Sequence, residues 1–308
     1  AKIFVGGVPM IELLLTRLAR ARELDQIIVA TSVDARNEPL ADCVRQLGFA
    51  CVQGDEQDVM ARYLQAARAH QADVIVRITG DCPLVDPELV DQMIRGYRAA
   101  GVDYFSNVAP PSYPDGLDIE VFSLRALEQA SEQTEAAFDH EHVTPYLRES
   151  GLFRVGAEQN EQDLSGWRWT VDEPADLEVI RRVFAHFAPD IHFSWRQVKA
   201  LQENSPALFK DNQTLIRNEG ATMGTGQKLW KRAKQVIPGG NMLLSKRAEM
   251  FLPEQWPAYF SKAKGCTVWD MDGKAYTDMC IMGVGTNILG YGHPEVDDAV
   301  RGTIDNGN

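Results

Sequence analysis

Between Met10 and Ser106, segments with apolar residues at helical spacing alternate with short runs of β-favouring residues, and that alternation most constrains the fold. Residues 10–22 set Leu14, Leu18 and Ala21 on one helical face. A buried strand over 27–31 follows, then a loop over 32–34. Helices are expected over 38–47, 58–70 and 88–100, and strands over 49–52, 74–78 and 102–106. The repeated βαβ pattern predicts an α/β fold, a mostly parallel sheet with helices on both faces, Rossmann-like in layout.

Within that frame the stretch 74–87 stands out. Val74, Ile75, Val76 and Ile78 run into Thr79-Gly80, then Asp81, then Pro83. A buried strand thus ends abruptly at a carboxylate, the position where open parallel sheets bind ligands. An acid there can hold a metal and the phosphates it bridges; it can equally cap a turn. The layout recurs at 167–178, where a strand over 168–171 ends at Asp172 and Pro174 opens a helix at its favoured first position. Two acids at strand ends could converge over the sheet, and one or two carboxylates are the usual protein share of a Mg²⁺ site.

Two other clusters carry candidate chemistry. In 113–122, Pro114-Asp115-Gly116 reads as a turn and 117–122 alternates apolar and acidic residues, so Asp118 and Glu120 share a strand face. That face is either a polar wall for a substrate or cation, or simply solvated. In 139–146, His140 and His142 could share a metal only on a strand, whereas the following residues look helical. Histidines at a helix start more readily reach a ligand or cap the chain.

Charge bounds the partners. The net charge of −13 argues against a nucleic-acid surface, which needs a basic stripe. No segment approaches the ~20 apolar residues of a membrane span, and no signal-peptide pattern opens the chain. Five scattered cysteines, without metal-type spacing, suggest reduced thiols in a cytoplasm. The charge is uneven: residues 1–205 hold 19 Lys+Arg against 33 Asp+Glu, and residues 206–308 hold 12 against 11. This shift predicts two units, 1–204 and 223–308, joined by a linker over 205–222. Both ends read as cut, since the chain opens on Ala1 without Met and closes at Asn308 just after an apparent helix.

The motif series in the first unit carries a resemblance. Ile28-Val-Ala-Thr-Ser32, Gly54-Asp-Glu56, Arg77-Ile-Thr-Gly-Asp-Cys-Pro-Leu84, Tyr113-Pro-Asp-Gly-Leu-Asp-Ile-Glu-Val-Phe122, Glu141-His-Val-Thr-Pro-Tyr146 and Trp169-Thr-Val-Asp-Glu-Pro174 follow in order. This part resembles the spore-coat-polysaccharide type of cytidylyltransferase and is similar to the acylneuraminate and keto-deoxy-octulosonate cytidylyltransferases. The resemblance implies a nucleotide-diphospho-sugar transferase fold and transfer of CMP from CTP to a sugar, a sugar acid above all, with release of pyrophosphate. It implies Asp81 and Asp172 as Mg²⁺ ligands, and Thr31, Ser32 and Gly80 at the nucleotide. Arg77, Asp118, Glu120, Asn107 and His142 would line the nucleotide or sugar site, and a homodimer is suggested.

The family pattern opens with a phosphate loop of the form Arg-x-x-Ser-x-Arg-Leu-Pro-x-Lys, of which only the closing Lys has a counterpart, Lys2. The chain as given is therefore expected to bind CTP poorly, and the intact gene product to be competent.

In the second unit, a lysine-bearing helix over 227–237 ends at Pro238-Gly239-Gly240, and 266–270 and 275–278 read as strands about a Met271-Asp-Gly-Lys274 hairpin. This is a small α+β piece without a catalytic constellation. Leu229-Trp-Lys-Arg232, Ala263-Lys-Gly-Cys-Thr-Val-Trp-Asp-Met-Asp-Gly273 and Leu289-Gly-Tyr-Gly-His-Pro294 resemble the start of class III aminotransferases, glutamate-1-semialdehyde aminomutase in particular. The resemblance implies pyridoxal phosphate for the parent protein and places its Schiff-base lysine beyond Asn308. The expected whole is a bifunctional enzyme for surface polysaccharide. Two alternatives stay open: the aminotransferase as the main activity, or a truncated, inactive interaction module.

Overall fold

A computed structural model of the chain describes residues 3–213, 215, 224–241, 244, 247–252, 256–279 and 287–307. Two compact units divide it, Ala1–Arg217 and Asn218–Asn308. The first unit extends past the expected boundary at 204. Pro206–Asn212 forms a 3-10 helix with Phe209 buried, and the Asn212 amide donates to the Arg168 carbonyl (3.0 Å) and the Asp176 carboxylate (2.9 Å). Ser205-Pro206, read as linker chemistry, starts this last element instead. Residues 214 and 216–222 of the expected linker lie outside the described residues.

In chain order the first unit holds β1 (Phe4–Val5), β2 (Val8–Pro9), α1 (Met10–Leu18), β3 (Ile28–Ser32), α2 (Glu38–Gln46), β4 (Ala50–Gly54), α3 (Val59–Ala69) and β5 (Val74–Arg77). It continues with α4 (Pro87–Ala100), β6 (Tyr104–Ser106), β7 (Glu120–Ser123), α5 (Leu124–Gln133), α6 (Ala137–His142), α7 (Pro145–Glu149), β8 (Val155–Ala157), α8 (Pro174–Phe187) and α9 (Trp195–Asn204). Local chemistry sets the ends of these elements. At α4 the Asp86 carboxylate accepts the N–H groups of Glu88 (2.8 Å) and Leu89 (3.3 Å), Pro87 takes the first position, and Gly101 closes the helix at φ +61°. At α8, Glu173 and Asp176 form a reciprocal capping box.

The α/β fold with helices on both sheet faces is as the alternation predicts, but the strand pairing is mixed. β3 and β4 run parallel, and so do β6 and β8. β7 lies between β5 and β6 and is antiparallel to both. The physical reason is the connection: a parallel return needs a crossover element, and the link 107–119 contains no helix, so the chain comes back antiparallel. Successive side chains then serve opposite cores. Phe105 and Val121 pack with α1, α4, α8 and α9, whereas Tyr104 and Phe122 pack with α3 and α5. The strand expected over 168–171 is reduced to one bridge, Asp115 to Arg168, because Val171 turns away to bond the Asp81 carbonyl.

The second unit contains α10 (Thr225–Val236), three antiparallel strands β9 (Phe260–Lys264), β10 (Thr267–Asp270) and β11 (Ala275–Thr277), and α11 (Pro294–Asp305). The expected hairpin is present with Gly273 at φ +83°, and β9, unread in the sequence, adds its third strand. Its small core centres on Trp230, Ala233 and Ala248.

Candidate active site

Asp81 sits in the turn that follows β5. The Thr79 hydroxyl donates to its Oδ1, and the Cys82 thiol lies 3.4 Å from the same oxygen. The main chain of Asp81 is bound as well: its carbonyl accepts the Val171 N–H at 2.9 Å and the Thr170 hydroxyl at 3.4 Å. One residue after Val171 stands Asp172. The segments carrying the two acids are thus brought together by a backbone hydrogen bond.

The electrostatics show that they feel one another. Burial, then the negative charge of Asp81, pushes the Asp172 carboxyl up to about 6, against the pull of Arg168. The Cys82 thiol is raised well above its ordinary value, chiefly by burial and further by Asp81, Asp118 and Asp115. Asp118 therefore faces the same region as Asp81.

Arg168 holds this acidic group in place. Its buried guanidinium pairs with Asp176 (2.9 Å), Asp115 (3.1 Å) and Asp172 (2.8 Å). Burial opposes ionisation of Asp176, but Arg168, Asn212 and the N–H groups of Asp172 and Glu173 outweigh it and hold the carboxyl below the usual range. Asp115 and Asp176 are sealed in, while the Asp172 side chain is 51% exposed and is the open member. Gly116 permits the packing: at φ +101° its Cα lies so close to the 169–170 backbone that a Cβ would meet Thr170 N at 2.6 Å.

A second charged cluster surrounds Glu120. Arg77 and Glu120 are cross-strand partners in β5 and β7 and form an ion pair. Glu120 also accepts from the Tyr104 hydroxyl (2.5 Å), the Thr144 hydroxyl (2.6 Å) and Arg148 (3.3 Å). Burial works against its charge, yet Arg77 and these donors hold its carboxyl below the ordinary glutamate value. Thr144 is presented by Val143, a β-branched residue at φ +73°, a strained conformation fixed by complete burial. The strand expected over 117–122 begins only at Glu120, so Asp118 precedes it, and Glu120 is closed off by donors and makes no exposed wall.

The remaining expected residues are more dispersed. Thr31 and Ser32 end β3, where the Ser32 hydroxyl accepts from the Asn37 amide (2.7 Å) and the Asp34 N–H (3.3 Å), ordering the loop beyond. Gly80 is exposed, and a Cβ there would meet nothing within 4 Å. Asn107 is fully buried, its side chain spanning the Leu117 carbonyl and the Ile119 N–H, both at 2.8 Å. His142 packs against Phe138 at the end of α6, and His140 instead pairs with Asp58 at 3.0 Å. Lys2 lies outside the described residues. Reading the sequence missed Arg168 as the hub, although an arginine between two tryptophans with acids at i+4 and i+8 was its signal. It also missed Tyr63, whose hydroxyl is raised first by burial and senses both Arg77 and Asp81.

Among the described residues no group of three or more His, Cys, Asp or Glu could hold a metal by itself. Asp81 and Asp172 nonetheless fit Mg²⁺. They supply two hard oxygen donors whose mutual repulsion a divalent cation would relieve, and ligand phosphates and water usually complete such a shell.

The protein-family model "Cytidylyltransferase" matches residues 3–205, and the chain belongs to that family. It is therefore a nucleotidyltransferase by class. It is 30% identical over 206 residues to the spore coat polysaccharide biosynthesis protein SpsF of Bacillus subtilis, covering 62% of this chain and 82% of the relative. The solved structure of a cytidylyltransferase from Leptospira borgpetersenii superposes with a TM-score of 0.66 at 27% identity, over 70% of this chain and 92% of that one. The second unit has a separate likeness, 40% identity over 81 residues to glutamate-1-semialdehyde 2,1-aminomutase of Leptospira interrogans. That match spans only 18% of the aminomutase. No helix among the described residues is long and apolar enough to cross a membrane.

Proposed function

We propose that the first unit transfers a cytidylyl group from CTP to a sugar hydroxyl and releases pyrophosphate, with Asp81 and Asp172 as ligands of Mg²⁺. The observation that carries this reading is the Val171 to Asp81 backbone hydrogen bond, which brings together the two chain segments that bear the carboxylates while Asp172 stays open to solvent. Magnesium, when bound there, would offset negative charge on the phosphates it bridges. The chain's own residues supply position. Thr79 fixes one oxygen of Asp81, Arg168 orients Asp172, and Glu120 anchors Arg77, whose Nε makes no hydrogen bond among the described residues. Gly80 leaves open space for close approach of a ligand to the backbone. The likeness to a polysaccharide-biosynthesis protein supports a sugar acceptor, and a likeness over 97 residues to a 3-deoxy-manno-octulosonate cytidylyltransferase supports a sugar acid. Pyrophosphate release from CTP, compared with the other nucleoside triphosphates, tests the reading. Asp81→Asn is expected to lower that rate about a thousandfold; an undiminished rate would sink it.

The short aminomutase likeness supports a second reading for the whole protein, a pyridoxal-phosphate-dependent transamination beside the first activity. A transamination assay on the full gene product decides it, and no step is assigned to residues of this chain.

A further inference from the structure

A cleft of about 490 Å³ opens between α1, the first turns of α4 and the start of α9, and it shares no lining residue with the Asp81, Arg77 and Asp172 group. Its volume is ordinary for a small-molecule site, about 300–1,000 Å³. Its lining is not ordinary for a chain of net charge −13. Arg17, Arg20, Arg22, Arg95 and Arg196 contribute, with His192, against the three acids Asp86, Glu88 and Asp91.

Two of those acids have their oxygens committed to backbone. Asp86 accepts the N–H groups of Glu88, Leu89 and Trp195, the last at 2.7 Å, and Asp91 accepts those of Arg22 (2.8 Å) and Glu23 (2.9 Å). Among the described residues Arg95 reaches only Glu23, at 3.4 Å, and Arg20, Arg22 and Arg196 enter no ion pair. Burial, Arg20 and Arg17 together draw the His192 imidazole below its ordinary value despite Asp190, as expected in a positive potential.

Arg17 is the decisive residue. It is 1% exposed, it donates to the carbonyls of Ile191, Leu84 (3.3 Å) and Val85 (3.2 Å), and its guanidinium stacks on Phe193 at 4.5 Å. Among the described residues its Nε has no hydrogen-bond partner and no carboxylate pairs with it. A cation taken out of water without a counter-ion costs several kcal/mol. Tethering α1 to two carbonyl-bearing loops uses its terminal nitrogens, and Asp86 and Asp190 act only through space, too weakly to offset the burial of that charge. An anion with several oxygens, able to meet more than one guanidinium fork, would balance it, and phosphate is the natural match.

We propose that this cleft is a binding site for a small phosphate-bearing anion, separate from the Asp81–Asp172 site, with the buried Arg17 and the open Arg20, Arg22 and Arg196 as its cations. Arg17 also bonds the Leu84 and Val85 carbonyls, which holds the cleft's floor in place.

The test is calorimetric titration of the full 308-residue chain with inorganic phosphate and, separately, glucose 1-phosphate, in Mg²⁺-free buffer. Saturable binding is expected, weakened about tenfold by Arg20→Gln/Arg196→Gln through loss of charged hydrogen bonds, and unchanged by Asp81→Asn. Tighter binding of the ester assigns the site to phosphate monoesters, and equal binding assigns it to the free anion. Arg17→Lys, which keeps the charge and loses the fork, is expected to weaken binding as well. Should that variant not fold, the surface double variant decides, with circular dichroism showing that it is native. Absence of saturable binding of either probe, or affinity untouched by the double variant, overturns the proposal.

Discussion

The two charged clusters of the first unit are built from the same residue types in opposite proportion. Around Arg168 one guanidinium serves three carboxylates, and one of these, Asp172, stands half in solvent. Around Glu120 one carboxylate serves two guanidiniums and two hydroxyls, and it is almost wholly buried. The first arrangement is short of positive charge and open; the second is satisfied and closed. A buried network that is complete rigidifies a fold. One that is incomplete at its open edge is where a ligand ion can enter, and only the Arg168 cluster has that edge.

Substitutions can separate the two. Glu120→Ala should be the most damaging to stability, by about 3–5 kcal/mol in chemical denaturation, because it leaves the part-buried Arg77 without its carboxylate and Arg148 with only the exposed Glu149. Asp172→Asn should leave stability within about 0.5 kcal/mol, since Arg168 keeps two carboxylates and a repulsion with Asp81 is removed. It should nevertheless lower pyrophosphate release about a hundredfold, roughly 2.7 kcal/mol. If Asp172→Asn unfolds the protein, or Glu120→Ala leaves its stability unchanged, the contrast collapses.

Gly116→Ala should cost about 2 kcal/mol in thermal unfolding, from the 2.6 Å approach to the Thr170 nitrogen and the positive φ. pH sharpens the comparison further. The Glu120 carboxyl lies below its ordinary value, so its contribution is present above the unfolded pKa of about 4.3 and is lost as pH falls through the lowered folded value. The stability advantage of the native chain over Glu120→Gln should therefore shrink in acid. The smallest effect is expected at Gly80→Ala, within about 0.5 kcal/mol in stability, because nothing lies within 4 Å of the new methyl. A large loss of CTP-dependent activity at unchanged stability there would show close approach of the ligand.

The elements of the first unit were legible because apolar spacing is a local property, and α4 can be read from Asp86, Pro87 and Gly101 alone. Strand direction was not, since it depends on whether a link holds a crossover helix, and 107–119 has no pattern that declares it. For the same reason the repeated acid at a strand's end could be read, but the means of convergence could not. Val171 gives up sheet pairing to bond Asp81, and nothing in residues 168–171 distinguishes that from a ladder bond. Glu120 looked like an exposed wall because alternation specifies a side of the strand and not what covers it. The donors that cover it, Thr144 and Arg148, come from α7 and the turn before it.

The Asn107 side chain presents one acceptor to the Ile119 amide and one donor to the Leu117 carbonyl, as a paired strand residue would. It therefore acts as a rivet at the root of the 108–116 excursion. Insertions or deletions at its exposed tip, 109–111, would leave the β6–β7 register, and with it the placement of Glu120 and Arg77, undisturbed. The far end of the excursion has no such latitude, because Asp115 pairs with Arg168 and Gly116 lies against the 169–170 backbone.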